Sequence, residues 1–385
     1  MPNRLFTWGY NNYGQLGDGT VVRKSSPVQV GASSTWSSIF APHAFSLAIK
    51  SDGTLWSFGD NAGGQLGDGT IIKKSSPVQV GALTTWVRAV GGASNVAAVK
   101  SDGTLWTWGG SIWGASGRGV ITNTSSPIQV GALTDWTSEI YSGHGHVVAI
   151  KSDGTLWAWG NNYYGQLGDG TILHKSSPIQ VGALTTWSKV AGGQGHVIAL
   201  KTDGTLWTWG RNIYGELGDG TIISRSSPIQ VGALTTWSKV AGGHEHSLAI
   251  KTDGTLWAFG WNGNGQLGLG DAVYRSSPVQ VGALTTWLKA SGGDRHTLAV
   301  KTDGTLWAWG DNTRGQLGDG TTTYQNSPIQ IGALTGWVDV AAGASVEAQG
   351  DTSLALRSFT AGYYVNVHGS FAILQGNTLK DWSNT

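Results

Sequence analysis

Histidine is the side chain best suited to bind metal or move protons near neutral pH, and four histidines recur in this chain at a fixed spacing. His146, His196, His246 and His296 lie 50 residues apart, each nine or ten residues after a tryptophan. A zinc site would need several imidazoles within ~2 Å of one ion, whereas equivalent positions of separate repeats stand apart. Phe45, Asn95 and Val346 hold the same position in the other copies, so apolar side chains are accepted there. The expected role is structural, each imidazole bonding a neighbouring turn. His144 and His244, two residues upstream of two of these, add only a weak local pair. No metal and no cofactor is expected.

Carboxylates are plentiful but mostly repetitive. Asp18, Asp68, Asp169, Asp219 and Asp319 sit in Gly-Asp-Gly-Thr; Asp52, Asp102, Asp153, Asp203, Asp253 and Asp303 sit in Asp-Gly turns. Asp caps such turns by accepting bonds from backbone amides. A single Gly-Asp-Gly-Thr offers too few oxygens for calcium. A glycosidase pair should stand out as unusual acids in one or two copies. Asp60, Asp294 and Asp311 are unusual, but nothing in the sequence pairs them. There is no nucleophile elbow, phosphate-binding loop or His-Glu-x-x-His motif. No catalytic residue is assigned and a non-enzymatic role is expected. A polysaccharide-cleaving enzyme would instead need acids or histidines clustered at one mouth of the fold.

Two further sets of residues suit binding. Lys24, Lys74, Lys175, Arg225 and Arg275 each lie three residues before a repeat proline, with Thr124 and Gln325 in the other copies. They predict a partial basic ring that attracts an anionic glycan or phosphate, or simply a solubilising charge. The second set varies between copies. The loops after each Trp-Gly or Phe-Gly begin Tyr10-Asn-Asn-Tyr13, Asp60-Asn-Ala-Gly63, Gly110-Ser-Ile-Trp113, Asn161-Asn-Tyr-Tyr164, Arg211-Asn-Ile-Tyr214, Trp261-Asn-Gly-Asn264 and Asp311-Asn-Thr-Arg314. Aromatic and Asn side chains on the loops of a rigid scaffold suit adaptable binding faces. Tyr13, Trp113, Tyr164, Tyr214, Trp261 and Arg314 are the candidate contacts, to stack on sugars or anchor a protein. The competing reading is drift at exposed tips, with some rings packed between blades.

The elements that position these residues follow from a repeat. Gly-Gln-Leu-Gly-Asp-Gly-Thr starts at Gly14, Gly64, Gly165 and Gly315, with variants at Gly114, Gly215 and Gly265, so that successive starts are 50 or 51 residues apart. Within residues 203 to 252, Thr205–Trp209, Ser226–Val231, Trp237–Val240 and Ser247–Lys251 read as four short strands. Pro228 restricts the second to a sheet edge or a strand start. Four strands per repeat, seven times, match a β-propeller. The Asp-Gly dipeptides read as type I′ hairpin turns joining one sequence repeat to the next. The lysine before each turn (Lys50, Lys100, Lys151, Lys201, Lys251 and Lys301) reads as a solvated, locally neutral edge. The expected fold is all-β, a seven-bladed propeller of four-stranded antiparallel blades over residues 1–357. The N-terminal Leu5–Trp8 and C-terminal Ser353–Leu356 should share a blade and close the ring. Residues 358–385 form an extension with two strands, Tyr363–Val367 and Phe371–Leu374, expected to serve attachment or homo-oligomer assembly. The last repeat has a six-residue insertion, with 17 residues from Trp337 to Leu354 against 11 from Trp287 to Leu298.

Composition narrows the partners. Charged residues are 12% of the 385, the net charge is +1 and cysteine is absent. No whole-protein attraction to nucleic acid or anionic membrane is expected, nor any disulfide. No stretch reaches the ~20 apolar residues of a membrane span, and Met1 to Trp8 lacks the apolar run of a signal peptide.

Val240-Ala-Gly-Gly-His-Glu-His-Ser-Leu-Ala-Ile250, Ala290-Ser-Gly-Gly-Asp-Arg-His-Thr-Leu-Ala-Val300 and the Trp-Gly-x-Asn-x-x-Gly-Gln-Leu-Gly segments resemble the repeat of the regulator of chromosome condensation family. The resemblance covers residues 4 to 357 and implies a seven-bladed propeller. It implies two activities, guanine-nucleotide exchange with chromatin binding, or a plain interaction domain. Only four glutamates exist, Glu139, Glu216, Glu245 and Glu347, and there is no basic tail. The near-identical copies look more like bacterial or phage members. The preferred expectation is therefore a virion component or bacterial surface-associated protein whose loops recognise a host glycan, a host protein or other virion subunits. The alternative is an exchange factor or chromatin-linked adaptor.

Overall fold

The computed structural model describes residues 2–344, 351–359, 363–367, 370–375 and 378–380. Among them are seven four-stranded antiparallel sheets, as the repeat requires. Each blade starts inside one sequence repeat and ends inside the next. The first runs Trp36–Phe40, Phe45–Lys50, Leu55–Gly59 and Lys74–Gln79 from the channel outward. The proline-bearing strands, such as Arg225–Gln230, are the outer edges, where a missing amide hydrogen costs no ladder bond.

The chain ends close the ring. Asn3–Gly9 pairs with Thr352–Ser358 over seven residues and with Lys24–Gln29 on its other side, and Trp337–Ala342 completes that blade. Closure removes an edge that would otherwise template aggregation. The insertion of the last repeat lies outside the described residues. Beyond the propeller, Tyr363–Val367, Ser370–Gln375 and Thr378–Lys380 form a three-stranded antiparallel sheet. Its side chains, and with them the expected assembly role, lie outside the described residues.

The Asp-Gly turns differ from the type I′ expected. Gly53 has φ +77°, but Asp52 does not share a positive φ. Lys50 pairs with Thr54 around three loop residues, with Gly53 N donating to the Lys50 carbonyl at 2.9 Å. This is a three-residue turn with a left-handed glycine. Asp52 Oδ1 accepts from Thr54 N at 2.9 Å and Thr54 Oγ1 at 2.7 Å, and Trp56 Nε1 donates to the same hydroxyl at 2.9 Å. The preceding lysine is not a solvated edge either. Lys100 Nζ lies 3.4 Å from the Trp106 ring centre and 5.1 Å from that of Trp86, and its stem is buried between the rings. Cation–π attraction and stem burial explain the recurrence of Lys there.

Packing runs between blades. Seven apolar clusters each combine side chains of two neighbouring blades, such as Leu156 and Leu167 with Trp187 and Trp209. The Gly-Gln-Leu-Gly-Asp turn makes the join. Its leucine is fully buried, and its second glycine leaves room for an aromatic ring of the next blade. A Cβ on Gly168, which has φ +75°, would lie 2.8 Å from Trp209 Nε1. That indole donates to the Gln166 carbonyl at 3.0 Å. Trp8, Trp108, Trp159 and Trp309 repeat the bond at 2.9 to 3.1 Å. Two blades carry Phe58 and Phe259 instead, and there Ser46 and Ser247 supply the hydrogen bond at 2.8 Å. Blades with Trp108, Trp159 and Trp209 have Val96, Val147 and Val197 at the serine position.

The substitutions at these two positions are therefore expected to be coupled. Trp209→Phe removes one buried bond and leaves a void, a loss of about 2 kcal/mol. Val197→Ser alone should be close to neutral, since its hydroxyl can reach His146 and the Gln166 carbonyl as Thr297 and Ser353 reach their counterparts beside Trp309 and Trp8, and in the Trp209→Phe background it should restore about 1 kcal/mol. A double-mutant cycle by denaturant unfolding checks this, and strict additivity would contradict the assigned bond.

Candidate functional site

One face of the ring carries both the loop between the first and second strands of each blade and the long loop between the third and fourth. A repeated backbone bond ties them together. The first variable residue of the long loop donates to the residue before the second strand: Asp60 to Ala44, Gly110 to Ser94, Asn161 to Gly145, Arg211 to Gly195, Trp261 to Glu245, Asp311 to Arg295 and Tyr10 to Asp351, at 2.8 to 3.0 Å. The second loop residue is a buried asparagine in six blades. Asn11 accepts from Leu16 N at 2.9 Å and donates to the Thr20 and Val22 carbonyls at 3.1 Å. Ser111 replaces it in the seventh, at 0% exposure like the asparagines. The loop asparagines expected to be adaptable contacts are thus the internal frame of each loop.

The fourth loop position, chosen from sequence for recognition, reaches across to the next blade. Trp113, at φ 60° the described non-glycine residue with a left-handed backbone, lies against Gly145 and 5.9 Å from the His144 ring. Tyr164 touches Gly195, and its ring centre is 5.8 Å from the Arg211 guanidinium. Tyr214, Trp261 and Tyr274 pack together, ring centres 5.3 to 6.4 Å apart, with Trp261 Nε1 donating to Tyr274 Oη at 2.7 Å. Tyr13 lies under Lys73 Nζ at 4.0 Å. Arg314 Nε is 3.1 Å from Asp351 Oδ2, and its guanidinium stacks 4.7 Å from Tyr10. The rings the sequence offered for stacking on a ligand are largely occupied by one another and by cations.

The basic ring is present in place but neutralised. Lys24, Lys74, Lys175, Arg225 and Arg275 pair with Asp18, Asp68, Asp169, Asp219 and Asp271 of their own blades at 2.6 to 3.6 Å. Anion attraction by this set is therefore not expected.

The distinctive chemistry lies in residues that break the repeat on adjacent blades. Glu216 stands where five copies have Gln. Like Gln166, it accepts from the amide two residues upstream, at 2.7 Å. Its other oxygen then needs a donor, and Arg211 Nη1 lies 3.3 Å away while holding Glu245 at 2.6 Å. In the blade with Gln65 the polarity is reversed, Nε2 donating to Asp60 at 2.9 Å. Arg295 covers Trp261 at 5.6 Å and approaches Asp294 at 3.6 Å. With Asp311, Arg314, Asp351 and Tyr10 they form a continuous arc of paired charges and aromatic rings over four successive blades. Sequence reasoning had singled out Asp294 and Asp311 but missed Arg211, Glu216, Glu245 and Arg295, although Glu216 is a charge where all its counterparts are neutral.

Inside the arc, His43, His144, Gln194 and His244 line the channel mouth, above a cavity of about 240 Å³. His43 and His144 stand 6.3 Å apart; among the described residues no three His, Asp or Glu converge as metal ligands. His244 Nδ1 is 3.3 Å from Asp294 Oδ1. That distance suits an ion pair, but burial favours the neutral form of both groups. It pushes the Asp294 carboxyl up to about 8, helped by Asp351, and the His244 imidazole down to about 3. Asp351 is pushed up to about 7 by burial and by Asp311. An acid cluster thus exists, but Asp294 and Asp351 are 1% and 0% exposed, too enclosed to reach a polysaccharide.

The four repeated histidines are buried as well. His196, His246 and His296 bond Ser247, Thr297 and Ser353 of the next blade at 2.9 to 3.1 Å. Their partners are strand hydroxyls rather than the turns expected. His146 has neither ring nitrogen bonded, because Val197 stands at the hydroxyl position.

These groups set a pH window. Burial lowers His146, His246 and His296 to about 3 and His43 to about 4. Their contribution to stability is present above the unfolded value near 6.5 and is lost as pH falls. Asp294 and Asp351, with raised folded values, contribute below 3.8 and lose that contribution as pH rises through 7 and 8. Thermal unfolding should therefore be most resistant at about pH 6–7, with a steep acid side. Asp294→Asn should flatten the alkaline side; an unchanged alkaline slope would count against the protonated carboxyl.

Comparison with known proteins fits this architecture. The RCC1-like domain family matches residues 2–297, and the regulator of chromosome condensation (RCC1) repeat matches residues 303–346 and 288–316. The ultraviolet-B receptor UVR8 of Arabidopsis thaliana is 48% identical over 44 residues, which are 11% of this chain and only 10% of the receptor. Human WBSCR16 superposes with a TM-score of 0.83 at 21% identity, over 93% of this chain and 99% of that one. Prp20p of Saccharomyces cerevisiae, a structure reported with its binding to Gsp1p and histones, gives 0.82 at 21%, over 94% and 92%. At these identities the likeness concerns the fold. With the family matched over most of its length, the chain belongs to the RCC1-like domain family of seven-bladed propellers.

Proposed function

We propose that this chain is a non-enzymatic protein-binding propeller that reads a charged protein surface with the arc from Arg211 to Tyr10. The observation that carries the reading is the concentration of repeat-breaking charges in one arc of the loop face, the Asp60–Lys73 pair lying on the blade beside it, on a scaffold that is otherwise repeated. Arg295 and Arg314 present charge at the rim, where it steers encounter and fixes orientation, while the enclosed Asp294 and Asp351 hold them in place. Among the two partner classes, a protein in the manner of an exchange factor or chromatin-linked adaptor is favoured over a host glycan read by a virion or surface component. Sugar recognition by stacking needs open aromatic faces, and Tyr214, Trp261 and Tyr13 are engaged within the protein. Prp20p, with the same fold, is reported with Gsp1p and histones, which supports a protein partner.

The test presents purified small GTPases loaded with a fluorescent guanine nucleotide, core histones and a glycan array to the full chain. Accelerated nucleotide release or saturable histone binding is expected. Arg295→Glu, at a half-exposed position, should weaken it by about tenfold or more. Binding confined to the glycan array would overturn the protein-partner reading.

A further inference from the structure

The opposite end of the channel carries charges that the loop face does not use. The third residue or so of each innermost strand points there: Ser38, Arg88, Glu139, Lys189, Lys239, Lys289 and Asp339 in ring order. Four cations face two carboxylates, a surplus of two positive charges on a chain whose total is +1. The carboxylates are committed. Glu139 holds Lys189 at 2.6 Å, and Asp339 holds Lys289. Lys239, between these two lysines in the ring, donates to the Leu288 backbone carbonyl and, among the described residues, makes no carboxylate pair. Arg88 stacks 4.5 Å from the Phe40 ring, has its Nε unbonded and pairs with no carboxylate at ion-pair distance. Burial and the neighbouring Lys289 lower the Lys239 ammonium, as expected for cations crowded without a counter-ion. All five of Arg88, Glu139, Lys189, Lys239 and Lys289 line one cavity of about 450 Å³, a volume in the range of small-molecule sites.

We propose that this end of the channel binds a phosphorylated small molecule, with Lys239 and Arg88 as its two principal cations. Two cations without a carboxylate at ion-pair distance, Glu139 and Asp339 acting on Arg88 only from farther off, face one concave space and place a multiply charged anion between them. A planar guanidinium with a free Nε–H suits the several acceptors of a phosphate. The cavity is too large for an isolated carboxylate, and Val240, Ala290 and Val338 give it apolar walls beside the charges. The site is distinct from the loop-face arc, so it stands or falls independently of the proposed partner.

The experiment is calorimetric titration of the full chain with pyrophosphate, with citrate and inositol as charge and shape controls. Saturable pyrophosphate binding is expected, at least tenfold tighter than citrate, with no heat from inositol and a rise in thermal midpoint. Lys239→Gln, at an exposed position of the strand Trp237–Gly242, should weaken pyrophosphate at least tenfold. Arg88→Lys, which keeps the charge but loses the fork, should weaken it less. Arg295→Glu on the other face should leave it unchanged. No saturable pyrophosphate binding, citrate binding as tight, or unchanged binding in a folded Lys239→Gln would each overturn the assignment.

Discussion

The structure depends on one contact repeated around the ring, the seat that a glycine turn of one blade offers to an aromatic ring of the next. A four-stranded blade has two apolar faces and can bury neither alone. Gly168 and its equivalents have left-handed backbones and no room for a side chain against Trp209 and its equivalents. The buried leucine of the same turn fills the space beneath, and the indole or a serine hydroxyl satisfies the turn carbonyl. Because this join is made seven times with nearly the same parts, Ser116 replacing the leucine once and Phe58 and Phe259 the indole twice, blade geometry is fixed without help from the loop tips. Pairing of Asn3–Gly9 with Thr352–Ser358 makes the seventh join identical in kind to the others.

That division explains what the sequence could and could not reveal. Strand positions, the edge placement of Pro228 and the shared closing blade follow from local patterning and a period near 50, and the structure has all three. The turn type was misread because Asp-Gly alone does not distinguish a two-residue hairpin from a three-residue one; the Lys50–Thr54 pairing decides it. The recurrent lysines and loop asparagines were misread for a common reason. Polarity suggests solvent, yet Lys100 is enclosed by two indoles and Asn11 by its own loop backbone. The basic ring lost its free charge to aspartates six residues or fewer away in sequence, a pairing visible only once the loop folds back. Arg211, Glu216 and Glu245 come together from separate loops, so their triad was not legible locally. Substitution of a repeat Gln by Glu216 was the signal that pointed to it.

A scaffold held by its joins leaves both ends of the channel free to specialise. On the loop face, burial and mutual pairing arrange Arg211, Glu216, Glu245, Arg295 and Asp294 into an arc whose charges are compensated within the protein, with Arg295 as its half-exposed member at the rim. At the other end, Lys189 and Lys289 hold the two carboxylates, and Lys239 and Arg88 are left without one at ion-pair distance among the described residues. The first arrangement suits a partner with its own alternating charges; the second suits a compact anion. Neither is required by the packing of the blades, since neighbouring repeats manage with Asn161, Gln166 and Ser94 at the positions of Arg211, Glu216 and Glu245.

The central claim is that the loop-face charges serve recognition and not folding. The most direct test replaces Arg211 by Asn, Glu216 by Gln and Glu245 by Ser together, the residues other blades carry, and measures thermal unfolding. Removing a buried charge set with neutral, hydrogen-bonding counterparts is often neutral or stabilising, so the midpoint should stay level or rise. A fall of more than about 5 °C, on the order of 4 kcal/mol for a domain of this size, would show that the arc is part of the scaffold and contradict the account.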